Sequence, residues 1–346
     1  MPPSPASPSP RRFGAGGPTL AEAGERALLE RLVGIARDAC PSGPASGDDA
    51  AVWSPPAGRD LAVSVDALVE DVDFRRSWID PQRLGARAFA VAISDLAAMG
   101  AEAENCVATL CARSSEEVED LVAIQSGLCR AAAAVGCPVV GGDLSAIDGP
   151  LVIDICVIGS LPRGQALRRA AGRPGDLIVV TGVLGRSAAG LQLLLEGVDT
   201  ASDVARDWID AHLDPVVRLR EGARLLHAGV QCAGDVSDGI LVDLARTAAA
   251  SRCAAELWVD RLPVDEGLRS RFGHRWLELA VGGGEDFELV AAVAEPQLDE
   301  LLREWPAELA PLSVVGILSE GSGLRLLDRR GGTEQTPPSS LFEHFA

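Results

Sequence analysis

Residues 80–100 read DPQRLGARAFAVAISDLAAMG. Asp80 and Pro81 stand as the N-cap and first turn of a helix running to Met99, and Gly100 ends it. Leu84, Ala88, Val91 and Asp95 fall at i, i+4, i+7 and i+11, so they share one face, and that face is apolar. Such a face needs a sheet or a second helix to cover it. Strands are expected before it at 49–53 and 60–66. After it come a strand at 104–112, a long helix at 115–135 and strands at 137–141 and 151–161. This pattern is an α+β layer of strands backed by two helices. Asp95 is its anomaly, because a carboxylate facing inward is costly unless it is paired. Two readings stand: a structural acid bonded to Arg87 or to a backbone amide, or a ligand.

Outward from this helix, TLAEAGERALLERLVGIARDAC at 19–40 places Thr19 and Glu22 as a capping box and continues with helical apolar spacing. Residues 1–18 are rich in Pro and Ser, lack the apolar stretch of a signal peptide and read as a disordered tail. Downstream, RGQALRRAAGRPGD shifts the composition to Gly, Arg and Pro, which puts a domain boundary near residue 163. The expected domains are therefore 19–162 and 163–330, followed by a segment at 331–346. The second begins with the strand LIVVTG and the helix SAAGLQLLLEG. Helices then occupy much of 202–228, with Asp214 and Pro215 as a start signal. Alternating strands and helices from 232 to 327 predict an α/β layer of mixed strand direction.

Composition narrows the chemistry. The chain has 346 residues, 47% of them apolar, and no apolar run long enough to span a membrane. A formal charge of −19, from 50 acids against 31 bases, argues against nucleic acid and anionic membranes as partners. All of those bases are arginine. The absence of lysine excludes P-loops, protein-kinase catalysis and Schiff-base mechanisms together. Eight cysteines without a CxxC pair read as buried thiols of a cytoplasmic protein. With four histidines, the chemistry falls to carboxylates, arginines, backbone and metal.

Acids recur beside glycine at the ends of elements: SGDDAAVW (46–53), SVDALVEDVDF (64–74), VGGDLS (140–145), DVSDG (235–239) and VGGGEDFE (281–288). A strand over 49–53 sends Asp48 and Asp49 to opposite faces. Asp66 ends the strand LAVSVD, with Ser64 on the same side. Asp143 follows two glycines, where missing side chains let a bulky anion approach the backbone. Asp238 is either the cap of a helix over 239–250 or a ligand. Hard oxygen donors in this number suit Mg²⁺ shared with substrate phosphates, so the motifs together imply a nucleotide site holding several Mg²⁺ ions.

Together with ARAFAVAISDLAAMGA and GQALRRAAGRPGDLIVVTGVLGRSAAGL, these motifs resemble, in order and spacing over residues 19–345, the thiamine-monophosphate kinase family. That family belongs to the superfamily of aminoimidazole ribonucleotide synthetase. The resemblance implies a two-domain subunit: a ferredoxin-like α+β N-terminal domain that forms a shared β-barrel in a homodimer, and a mixed-sheet α/β C-terminal domain. It implies ATP and thiamine monophosphate as substrates, with direct in-line phosphoryl transfer. Asp49, Ser64, Val65 through its carbonyl, Asp66, Asp95, Asp143, Asp235 and Asp238 would be magnesium ligands. Gly142, Asp143, Arg169 and Ser237 would bind ATP, and Asp66, Asp143 and Arg169 would carry catalysis. Asp73, Glu285 and Phe342 would meet the thiamine phosphate, although the family commonly carries a histidine where this chain has Asp73. The alternatives are another ATP-dependent enzyme of the superfamily, or a catalytically silent nucleotide- or metal-binding protein on the same fold.

Overall fold

The Asp80 side chain accepts the Gln82 and Arg83 amides, each at 3.0 Å, so the helix begins as its sequence predicts. In the computed structural model, which describes residues 12–41, 49–198, 203–330 and 332–336, contacts divide the chain into two units. The first holds the described residues up to Ser54, with Val65–Ala92 and Glu104–Val157. The second holds Pro55–Ser64, Ile93–Ala103 and the described residues from Ile158 onward.

The N-terminal half supplies helices α1 (Leu20–Ala23), α2 (Glu25–Ala39), α3 (Pro81–Ala98) and α4 (Val118–Ala134). Its strands are β1 (Arg59–Val69), β2 (Glu102–Ala112), β3 (Val139–Ala146) and β4 (Val152–Pro162). They form a four-stranded sheet in the order β1-β4-β2-β3, with β2 and β3 parallel. A ferredoxin-like domain runs β-α-β-β-α-β. This chain runs β-α-β-α-β-β, so that part of the expectation is corrected. The parallel β2–β3 pair requires a crossover helix between its strands, and α4 is that helix.

Three local expectations also change. The Thr19–Glu22 capping box forms, yet it serves only α1, because the helix is interrupted at Gly24 and resumes as α2. No strand forms at 49–53. Pro55 and Pro56 follow after Ser54, and neither offers an N–H to a ladder. Residues 12–18, assigned to the tail, belong to the described fold: the Gly14 amide donates to Asp120 (2.8 Å) and the Gly16 amide to Glu117 (3.0 Å).

The C-terminal half supplies β5 (Leu177–Thr181), α5 (Arg186–Glu196), α6 (Asp203–Leu213), α7 (Leu219–His227), β6 (Cys232–Val236), α8 (Ile240–Ala250) and β7 (Ala254–Trp258). There follow α9 (Glu266–Phe272), α10 (Trp276–Gly282), β8 (Glu288–Val293), α11 (Glu295–Arg303), β9 (Leu312–Ser319), β10 (Gly323–Asp328) and β11 (Thr333–Gln335). The strands form one sheet in the order β11-β10-β7-β9-β5-β8-β6. It is mixed as predicted, with β7–β10 parallel and β5–β8, β5–β9 and β6–β8 antiparallel. Asp214 and Pro215 follow the end of α6 rather than opening a helix, and α7 starts at Leu219. Proline lacks the N–H that would extend the preceding helix.

Every residue of β6 and β8 is buried, and Val179, Leu225, Ala233, Leu289, Ala291 and Leu298 belong to one apolar cluster. Buried charge in this unit is paired. Glu288 receives two bonds from Arg218 (2.7 and 2.6 Å) and one from the Thr181 hydroxyl (2.7 Å). Among the described residues no helix is long and apolar enough to cross a membrane.

Candidate active site

β6 ends in the motif that carries most of the polar chemistry of the second unit. Asp235 is 3% exposed, because its strand is covered along its whole length. Its two oxygens are separately engaged: Arg169 Nη2 donates to Oδ1 at 3.1 Å, and the Ser94 hydroxyl donates to Oδ2 at 3.1 Å. Burial raises the Asp235 carboxyl above its ordinary value, and the neighbouring Asp95 adds to the rise, while Arg169 and Ser94 oppose it. Asp95 in turn accepts the Ser64 hydroxyl. The inward-facing acid of α3 thus meets a hydroxyl from β1 and lies beside a second acid.

The loop after β6 is shaped by a residue that the sequence motif did not single out. Asp243, in the first turn of α8, accepts the Ser237 and Asp238 amides at 3.0 and 2.9 Å. The N-cap of α8 is Gly239 with no side-chain cap bond, so the capping expected of Asp238 is not made, and the Asp238 carboxylate pairs with Arg246 instead. Burial pushes the Asp243 carboxyl up to about 6. The available signal was an acid in the first turn of the helix, where exposed amides favour negative charge.

The Glu285 loop lies against the same segment. The Glu285 amide donates to the Ser237 carbonyl (2.7 Å) and the Phe287 amide to the Val236 carbonyl (2.9 Å). Between them Asp286 accepts the Gly185 and Ser187 amides at the start of α5, at 2.7 and 3.2 Å. Burial lifts Asp286 to about 7 against the pull of those amides. His212, buried on α6, lies 3.3 Å from the Glu285 carboxylate. Its buried face with Trp208, Ile209 and Leu213 was legible as helical spacing; its contact with Glu285 was not.

In the first unit, Asp66 sits within β1 rather than at its end, on the half-buried side, while Val65 is exposed. Asp49 is exposed at a bend, so the alternation argued for Asp48 and Asp49 does not apply; Asp48 lies outside the described residues. Asp143, in β3, is exposed and accepts the Ser145 hydroxyl (2.6 Å). Gly142 has a different reason from the one expected. A Cβ there would stand 2.0 Å from the Ala108 carbonyl oxygen of β2, so the missing side chain admits the neighbouring strand. Asp73 accepts the Val69 amide (2.8 Å) and closes the turn after β1. Phe342 lies outside the described residues.

Among the described residues no group of three or more His, Cys, Asp or Glu side chains is arranged to hold a metal ion. The donors beside one another in the second unit are Asp95 and Asp235 with Ser64 and Ser94. All are hard oxygens, and a buried carboxylate raised by a neighbouring one gains from a divalent cation. The set fits Mg²⁺, which takes few carboxylates and completes its shell with water and phosphate oxygens.

Comparison with known proteins places this arrangement in a family. AIR synthase related protein, N-terminal domain, matches residues 47–161, and the corresponding C-terminal domain matches 173–329. The thiamine-monophosphate kinase of Bacillus subtilis (strain 168) is 34% identical over 302 residues, 86% of this chain and 92% of that protein. The crystal structure of thiamine-monophosphate kinase from Stenotrophomonas maltophilia K279a superposes with a TM-score of 0.78 at 33% identity, covering 87% of this chain and 96% of that one. AaThiL complexed with AMPPCP and TMP gives 0.72 at 27% identity, covering 93% and 98%. With its acids, Arg169 and the Glu285 loop carried on this two-domain α+β fold, the chain belongs to the thiamine-monophosphate kinase family of AIR synthase-related proteins.

Proposed function

We propose that this protein is an ATP-dependent kinase that phosphorylates thiamine monophosphate to thiamine diphosphate. One observation carries the reading: Asp235 is held buried beside a second carboxylate, Asp95, with Arg169 on one oxygen. Burying an acid beside a second carboxylate opposes folding, so the arrangement is explained by a cationic ligand rather than by stability. The relatives named thiamine-monophosphate kinase, and AaThiL with AMPPCP and TMP, support the choice of substrates.

The chemistry asks little of the protein in proton transfer. The acceptor phosphate has a second pKa near 6, about that of a phosphoserine, so at neutral pH it is mainly a dianion and already nucleophilic. Like charges must instead be brought together in line. Asp49, Ser64, the Val65 carbonyl, Asp66, Asp95, Asp143, Asp235 and Asp238 would hold Mg²⁺, which when bound supplies charge neutralisation to the phosphates. Arg169 offers a rigid fork of donors for phosphate oxygens, and the Asp235 bond fixes where that fork points. Ser237 and Gly142 would contact the nucleotide. Glu285 and Asp73 face the acceptor with negative charge, which suits its cationic organic half better than its phosphate. Phe342 would complete that contact.

A homodimer belongs to the same reading, with the N-terminal domain, residues 19–162, as its dimerising part. β1 is an edge strand and exposes Leu61, Val63 and Val65 along one face, at 49%, 65% and 59%. An exposed aliphatic edge of that length is the surface a second copy would cover in a shared sheet.

The test is ADP release from ATP and Mg²⁺ with thiamine monophosphate and other phosphorylated acceptors. Release only with thiamine monophosphate, lost on chelation and lowered at least about 100-fold by Asp66→Asn or Asp143→Asn, is expected. Binding of ATP without acceptor-dependent ADP would overturn the assignment.

A further inference from the structure

The Glu285 loop has an unusual backbone. Glu285 has φ +65° and Phe287 φ +48°, a region that residues with side chains seldom occupy. Such conformations persist where the surroundings over-determine them. Here the two flanking amides are bonded to the Val236–Ser237 segment, and Asp286 is anchored on the amides that open α5. The backbone is thus held, and the Glu285 side chain is 30% exposed.

His212 packs against that side chain. α5 and α6 approach so closely that a Cβ on Gly190 would stand 2.0 Å from the Trp208 carbonyl oxygen, and His212 is 4% exposed. The ring is therefore packed in one orientation. Its Nδ1 lies 3.0 Å from Ser187 Oγ and 3.3 Å from Glu285 Oε2. An ionised carboxylate only accepts, so Nδ1 carries the proton that faces it. Ser187 is the shared post: its amide holds Asp286 and its hydroxyl meets the His212 ring. Both the hydroxyl and the acid meet the same nitrogen. A Ser-His-Glu relay needs them on opposite nitrogens, so the trio has no arrangement for activating Ser187.

We propose that His212 is a positioning residue that fixes the rotamer of Glu285 for recognition of the acceptor, with Ser187 orienting the ring. The proposal rests on Glu285 contacting the acceptor. Loss of His212 removes a contact that holds the carboxylate, which weakens acceptor binding and leaves the nucleotide side as it was.

Steady-state kinetics of the full chain with thiamine monophosphate and ATP test this, using His212→Leu, His212→Asn, Glu285→Gln and the double variant of His212→Leu with Glu285→Gln. His212→Leu fills the space without a donor, whereas His212→Asn returns an amide donor near the Nδ1 position. His212→Leu is expected to raise the acceptor KM about tenfold with the ATP KM within about twofold, and His212→Asn to stay within about threefold of the parent. On the Glu285→Gln background, His212→Leu should add less than about twofold. Multiplying effects, equal loss in the Asn and Leu variants, or equal rises in both KM values would overturn the positioning role. If Glu285→Gln alone leaves the acceptor KM unchanged, the acceptor contact itself fails, and the proposal falls with it. Should His212→Leu not fold, Ser187→Ala carries the same test, with an acceptor KM raised at least about threefold expected and an unchanged one overturning it.

Discussion

Asp235 shows how a single side chain can oppose folding and still be kept. Burial and the neighbouring Asp95 both raise its carboxyl, so its charged form is disfavoured in the folded protein. Asp235→Asn should therefore leave the melting temperature unchanged or higher while lowering kcat at least about 100-fold; a marked loss of stability would make the acid structural. Asp286 gives a pH signature. Its folded value is about 7 because of burial, well above an ordinary aspartate near 4. The folded state thus binds the proton more tightly than the unfolded chain. Its stabilising contribution is complete below about pH 4 and is lost as pH rises to about 7. Asp286→Asn should flatten the urea stability profile across that window, and an identical slope in the variant would count against the assignment. At this scale the sequence was informative about residue type and blind to partner: Asp95 was visible as an inward acid, but not that the Ser64 hydroxyl would meet it.

Elements are held by close approach and by buried pairs. Glu288 on β8 ties Arg218 to the Thr181 hydroxyl, and the Arg218 side chain is only 17% exposed. Removing one partner of such a pair leaves a poorly solvated charge, so Glu288→Ala should cost about 3 kcal/mol in urea unfolding. A loss under about 1 kcal/mol would mean that solvent compensates Arg218. Periodicity revealed most of these elements, since apolar spacing is a local property. It failed where a non-local fact decided. The pattern at 49–53 alternates like a strand, yet two prolines follow and no strand forms. Gly142 looked like an opening for an anion, yet the backbone of β2 occupies that space.

For the whole molecule, the exposed aliphatic face of β1 carries the remaining prediction. Val63→Asp with Val65→Asp should convert a dimer to a monomer in light scattering coupled to size exclusion, because charge on an edge strand opposes pairing with another copy. A parent chain that is monomeric at all concentrations would remove this interface. The sequence by itself determined the type of chemistry, since a chain with no lysine and with acids beside glycine is confined to carboxylates, arginine and metal. It also determined where most helices and strands lie, through local spacing. Only the tertiary structure decided that Asp95 and Asp235, 140 residues apart in number, act on one another, and that His212 reaches Glu285. Those are meetings of distant segments, and burial and hydrogen-bond geometry, which set their energies, exist only once the sheet and its helices have closed around them.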